Sequence, residues 1–320
     1  VTASGPSHHP PANDPLASAQ SLTTALARAR YLAAPQLALS LWLALRMERP
    51  LMVEGPAGVG KTDLARAAAE ALGRPLLRLQ CYEGLDEAKA LYEWDYARQM
   101  LYTQLLRDAV AAETAGKTIA DAARIVARSE ATFFSEHFLL ARPLLAALRS
   151  DEPVVLLIDE VDRSDPEFEA FLLEILSELQ VTIPELGTFR AKHRPLVLLT
   201  TNATREMTEA LRRRCLHAFL DYPSASRELA IIELSVPGIE RALASHLVSF
   251  VVQLRGMDLR KPPAISETLD WARALLLLGA ATLEPDLARD TLGLLLKHQE
   301  DKDAVDVRLD ALVKTATSSA

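Results

Sequence analysis

The sequence predicts an α/β fold in which a parallel sheet is followed by an all-helical region. Three observations carry this. Short apolar segments alternate with helical patterns up to Tyr222-Pro223. One of them, Val154-Val155-Leu156-Leu157-Ile158, is a continuous aliphatic run, the mark of a strand buried on both faces. Beyond Pro223 the strand signals stop, and helical segments are separated by Pro237-Gly238, Lys261-Pro262-Pro263 and Gly279. Alternation of this kind implies crossover connections and a parallel sheet.

Taken in order, residues 1–20 are rich in Pro, Ser, Ala and His without a period and read as a flexible tail. A helical pattern then runs through Tyr31, Leu37, Leu41 and Leu45 and stops at Pro50. Strands are expected at 50–54, 76–80, 154–158, 195–201 and 216–220, five in all. Residues 85–150 read as a mostly helical insertion broken at Gly116, and residues 181–190 as a β-hairpin with Gly187 at its turn. The expected division is therefore a core over 21–222 and a helical domain over 223–320.

The chain has 320 residues, 49% hydrophobic and 24% charged, which supports a sizeable packed core and excludes wholesale disorder. Its formal net charge is −8, a poor basis for wrapping nucleic acid, where affinity rests on neutralising phosphates. Two cysteines, Cys81 and Cys215, provide no disulfide framework, so a reducing cytoplasmic setting is expected. No apolar run reaches the length of a membrane span. The seven histidines show no metal-ligand spacing, and the two cysteines read as small buried hydrophobes.

The chemistry concentrates in Gly55-Pro56-Ala57-Gly58-Val59-Gly60-Lys61-Thr62, the spacing of a phosphate-binding loop between a strand and a helix. Its glycines permit backbone conformations that aim several N–H groups at one anion, and the following helix adds its positive end. Lys61 is expected to reach the β- and γ-phosphates of ATP, and the Thr62 hydroxyl to ligate Mg²⁺. Asp159-Glu160 closes the buried strand at 154–158. Asp159 is expected to help hold Mg²⁺, and Glu160 to act on the attacking water, which favours hydrolysis over transfer to a substrate. Asn202, ending the next strand, is a candidate for orienting that water or sensing the γ-phosphate. Leu211-Arg212-Arg213-Arg214-Cys215 places three arginines beside a strand start, either as a solvated basic face or with one serving a neighbouring subunit's nucleotide.

In this order, the phosphate loop, Asp159-Glu160, Asn202 and Arg212–Arg214 resemble an AAA+ ATPase. Over roughly residues 30–300 the chain is similar to the MoxR branch. Leu79-Gln80-Cys81-Tyr82-Glu83-Gly84-Leu85-Asp86, Tyr92-Glu93-Trp94-Asp95-Tyr96, Arg142-Pro143-Leu144-Leu145, Phe168-Glu169-Ala170-Phe171-Leu172-Leu173-Glu174 and Ile183-Pro184-Glu185-Leu186-Gly187 carry a likeness to the type that serves carbon monoxide dehydrogenase maturation. The resemblance implies a P-loop AAA+ αβα core with a helical lid, a homo-oligomeric ring, usually a hexamer, and ATP bound between subunits. It also implies a chaperone or remodelling role on a metalloenzyme client, often with a von Willebrand factor A domain partner. By position Arg214 matches the family's arginine finger best and Arg213 next, while Gln80 matches the polar residue that restrains the catalytic Glu. Relatives place an Arg early in a lid helix to contact the γ-phosphate. Here the matching stretch Ala264–Trp271 has none, and either Arg273 takes the role or the contact is absent. Trp94 and Tyr96 are candidates for substrate contact or for core. Two competing readings are a motor acting on nucleic acid and a regulatory switch that binds ATP without turnover; the acidic balance weighs against the first and an intact Glu160 against the second.

Overall fold

The computed structural model describes residues 14–118, 135–184 and 186–318. Residues 1–13 of the expected tail, residues 119–134 of the insertion and Glu185 of the hairpin lie outside the described residues. The strands described are β1 (Leu51–Glu54), β2 (Leu76–Gln80), β3 (Tyr92–Trp94), β4 (Leu139–Ala141), β5 (Val155–Asp159), β6 (Gln180–Ile183), β7 (Gly187–Arg190), β8 (Leu196–Thr201) and β9 (Leu216–Phe219). Five of them form one parallel sheet in the order β2-β5-β8-β1-β9.

The aliphatic runs occupy the middle of this sheet, and every residue of β5 and β8 is buried. Because side chains alternate across a strand, Val155 and Leu157 join the apolar cluster of one face, with Leu51, Val53, Leu64 and the helices Ala19–Arg28 and Pro35–Met47. Leu156 and Ile158 join the cluster on the other face, with Phe168, Leu172 and Leu145. A separate cluster around Trp271, Phe250 and Leu247 holds the helices between Ala225 and Ser318.

Register decides where the site falls. Gln80 lies opposite Asp159, Ile158 opposite Leu199, and Glu54 opposite Thr201. The C-terminal ends of β2, β5, β8 and β1 therefore line up on one edge, where open parallel sheets bind ligands.

Two local expectations are corrected. The helix starts at Ala19, inside the segment read as tail, because the Ser18 hydroxyl caps Ser21 N–H at 3.0 Å and Trp42 Nε1 donates to Leu16 O at 3.0 Å. The helical run through Tyr31 is two helices: Arg30 takes a left-handed φ of 60° and Pro35 opens the second. Tyr31 thus lies between them. The described part of the insertion is mostly helical, as expected, but it also holds an unexpected pair of short strands, β3 and β4, antiparallel with Trp94 opposite Leu139. Two three-residue strands more than forty positions apart offer no periodicity to read. The hairpin is present, with Gln180 opposite Arg190 and Ile183 opposite Gly187.

Candidate functional site

β1 ends at Glu54 and passes through the Gly55–Gly60 loop into the helix Lys61–Leu72. A Cβ on Gly55 would lie 2.0 Å from Leu220 O, so no other residue fits there. Gly58 and Gly60 take φ values of 79° and 95°, which other L-residues rarely adopt. The unpaired N–H groups of the helix's first turn face this loop. Lys61 is buried, and its Nζ donates to Gly55 O at 2.7 Å, Pro56 O at 2.7 Å and Asn202 Oδ1 at 2.8 Å. Burial pulls the Lys61 ammonium below its ordinary pKa, against the opposing charges of Asp162, Asp159 and Glu160.

The carboxylates meet the loop as β5 ends. Thr62 Oγ1 lies 3.2 and 3.1 Å from the two oxygens of Asp159. Thr200 Oγ1 donates to Asp159 Oδ1 at 2.5 Å and accepts Glu160 N–H at 2.9 Å, so one hydroxyl sets both acidic residues. Glu160 takes a left-handed φ of 55°. Its Oε2 accepts from Gln80 Nε2 and from Arg163 Nη1, each at 3.0 Å. Asn202 is fixed from below: Asp162 Oδ2 accepts Asn202 N–H at 3.2 Å, Thr204 N–H at 3.0 Å and Thr204 Oγ1–H at 2.6 Å. Burial raises the Asp162 pKa, but these donors outweigh it and hold the carboxyl below its usual range.

Two cavities adjoin at Gly60 and Asp63. The smaller, about 170 Å³, is lined by Gly58, Lys61, Thr62, Asp159, Glu160 and Asn202, with Thr200 and Ser266. The larger, about 420 Å³, is walled by Tyr31, Val59, Leu220, Tyr222, Ile265 and Leu269, among others. A polar chamber with a lysine and helix end beside a wider cleft of mixed polar and apolar lining suits a nucleoside polyphosphate. The hydroxyl and carboxylate of Thr62 and Asp159 are hard oxygen donors that fit Mg²⁺, whose remaining ligands would be phosphate and water. No group of three or more His, Cys, Asp or Glu able to hold a metal alone occurs among the described residues.

The helix Ile265–Leu277 closes the smaller chamber, with Ser266 N–H donating to Gly58 O at 3.2 Å. Arg273 lines the larger cleft, half-exposed and paired with Asp270 at 2.9 Å. The residue of this helix on the phosphate side is Ser266. Behind the cleft, Arg255 stacks 4.8 Å from the Tyr222 ring centroid and makes a two-pronged pair with buried Glu228 at 2.5 and 2.8 Å.

The three arginines sit elsewhere. They end the helix Glu209–Arg214, immediately before β9 begins with Leu216 opposite Leu51. Arg49 Nη2 and Nε take the carbonyls of Arg213 at 2.7 Å and Arg214 at 3.1 Å. Arg213 pairs with Glu209 at 3.0 Å, and Arg214 Nη1 contacts Ser177 Oγ. The length of β1, about 13 Å from Leu51 to Gly55 at roughly 3.3 Å per residue, separates this end from the phosphate loop. Gly55 through Thr62, Asp159, Glu160 and Asn202 come together in one chamber, while Arg213 and Arg214 do not join them.

Sequence reading did not find Arg78, whose Nε and Nη2 donate to Asp159 Oδ2 at 3.0 and 2.6 Å. The signal was available: Arg78 and Gln80 are two apart on a strand and so share a face. Tyr31, Thr200, Asp162 and Ser266 also escaped it, since each reaches the site only through tertiary register.

The model of the AAA domain, dynein-related subfamily, matches residues 50–215. A gas vesicle ATPase, GvpN of Ancylobacter aquaticus, is 27% identical over 241 residues, covering 72% of this chain and 61% of that protein. The chain therefore spans 61% of the length of that relative. Among solved structures, the Thermotoga maritima RuvB Holliday junction branch migration motor is 17% identical, covering 88% of this chain and 74% of its own, with a TM-score of 0.44. A mutant of that protein gives 18% identity, 87% and 70% coverage and a TM-score of 0.47.

Proposed function

Because the chain belongs to the dynein-related subfamily of AAA domains, we propose that it is an ATP-hydrolysing remodelling motor of the MoxR type. The observation that carries the reading is Glu160, set at the mouth of the phosphate chamber and tethered by Gln80 and Arg163. A carboxylate at that position can take a proton from water attacking the γ-phosphate once it turns from these partners. Lys61 and the loop N–H groups bind the phosphates, and a phosphate oxygen takes the place of one of the three oxygens that Lys61 contacts. Thr62 and Asp159 hold Mg²⁺, which when bound offsets negative charge on the β- and γ-phosphates. Asn202 orients the water, Arg214 of a neighbouring subunit approaches from outside, and Arg273 borders the nucleotide cleft as the lid's cation.

On this reading the subunits form a ring, by resemblance a hexamer, and the client is a metalloenzyme of the molybdenum hydroxylase kind, engaged with a von Willebrand factor A domain partner. The sequence stretches around Tyr82, Trp94, Phe171 and Pro184 support that choice. The gas vesicle relative favours a second reading, in which the work is done on gas vesicle components. The cell interior suits either, and no helix among the described residues is long and apolar enough to cross a membrane.

The test is phosphate release by the wild type against Glu160→Gln, followed by affinity capture with that variant in ATP. Turnover should fall roughly 10²-fold or more with ATP binding retained, as when a general base is lost. Absence of turnover in the wild type would overturn the motor. Capture of gas vesicle proteins, or of DNA, in place of a metalloenzyme would overturn the client.

A further inference from the structure

Arg78 stands in the middle of β2, one of the two edge strands of the sheet, opposite Leu157. Besides its two bonds to Asp159 Oδ2, its Nη2 donates to Gln80 Oε1 at 2.6 Å. Gln80 Nε2 in turn donates to Glu160 Oε2 at 3.0 Å. A single file of hydrogen bonds thus runs from the carboxylate beside Thr62 to the carboxylate at the chamber mouth. Its ends differ in freedom. The Asp159 side chain is 3% exposed, whereas that of Arg78 is 50% exposed and can leave for solvent.

We propose that Arg78 is a positioning residue that ties occupancy of the divalent-cation site to the restraint on Glu160. The inference rests on the nucleotide-site reading above. Guanidinium and metal compete for one buried carboxylate, and like charges close together disfavour each other. While Asp159 is engaged by Arg78, Gln80 is clamped through its Oε1, and its amide is aimed at Glu160. Once Asp159 turns to the metal, Arg78 swings outward and Gln80 loses that clamp. Glu160 then faces a Gln80 that can rotate away, and turns more readily to meet water. Coupling of this kind is reciprocal: a base under restraint weakens metal binding by the same factor that metal binding relaxes the base.

The experiment titrates Mn²⁺ into the full chain loaded with ADP, reading free Mn²⁺ by electron paramagnetic resonance, for wild type, Arg78→Ala and Arg78→Lys. Arg78→Ala is expected to bind Mn²⁺ roughly fivefold more tightly, the scale of one half-exposed ion pair. Arg78→Lys, which keeps the charge, is expected to stay near wild type. Turnover in Arg78→Ala should reach half its maximum at correspondingly lower Mg²⁺. Circular dichroism melts check that each variant is folded. Equal or weaker Mn²⁺ binding by Arg78→Ala would overturn the proposal, as would Arg78→Lys matching Arg78→Ala. A wild type that binds neither ADP nor Mn²⁺ would instead remove the nucleotide site, and this inference with it.

Discussion

Ser266 rests directly on the phosphate loop: its N–H meets the Gly58 carbonyl at 3.2 Å, and a Cβ on Gly58 would fall 2.5 Å from the Ser266 hydroxyl and 2.7 Å from the Ala264 Cβ. The absence of a side chain at Gly58 is therefore what lets the helix Ile265–Leu277 approach. Gly58→Ala adds both this collision and strain at a φ of 79°. Strain of that kind costs about 1–3 kcal/mol, so nucleotide affinity should fall between roughly fivefold and a hundredfold by calorimetry. Unchanged affinity would mean that the helix can withdraw without consequence for the site.

Lys61→Ala removes a cation that donates to two loop carbonyls, of Gly55 and Pro56, and to Asn202 Oδ1. Calorimetry should detect no ATP binding at concentrations that saturate the wild type. Undiminished affinity would remove the phosphate role of this loop.

Arg214→Ala should leave nucleotide affinity within about twofold and depress turnover by about 10³-fold or more, the range for a lost arginine finger. Mixing it with Glu160→Gln subunits should restore part of the activity, because each variant supplies the group the other lacks. No recovery at any mixing ratio would argue against a contribution in trans. Loss of the Ser177 contact alone would show as a melting shift without a turnover defect.

Cys81 and Cys215 are buried, and desolvation pushes both thiols up to about 12. At pH 8 they should stay neutral and unreactive toward a disulfide reagent in the native protein. Both should titrate once the chain is unfolded in denaturant. Rapid reaction of either thiol in the native state would contradict its burial.

Much of the site was legible because it is encoded locally. The phosphate loop is eight consecutive residues, and Asp159-Glu160 follows an aliphatic run whose burial on both faces is written in its composition. Asn202 was placed by ending the next such run, and its side-chain Oδ1 accepts from Lys61 Nζ. What escaped depends on register. Arg78 reaches Asp159, 81 positions further along the chain, because β2 pairs with β5. Thr200 meets the Asp159 carboxylate and the Glu160 N–H only because β8 lies beside β5. Tyr31 was read into a helix, yet the break at Arg30 delivers it to the nucleotide cleft. Propensity and periodicity carry no information about such meetings, which tertiary packing decides.

The placement of the phosphate loop after β1 and of the arginines at the opposite end of the sheet, just before β9, gives each protomer a polarity. If Arg214 reaches a neighbour's nucleotide through a head-to-tail contact of unlike surfaces, an isolated pair joined that way completes one of its two sites. Closed cycles complete all of them, and open chains always leave one terminal site short. Specific activity would then rise with protein concentration faster than first order and fade on dilution. Such a catalyst keeps time by its own abundance, idle when scarce and switched on by crowding with copies of itself.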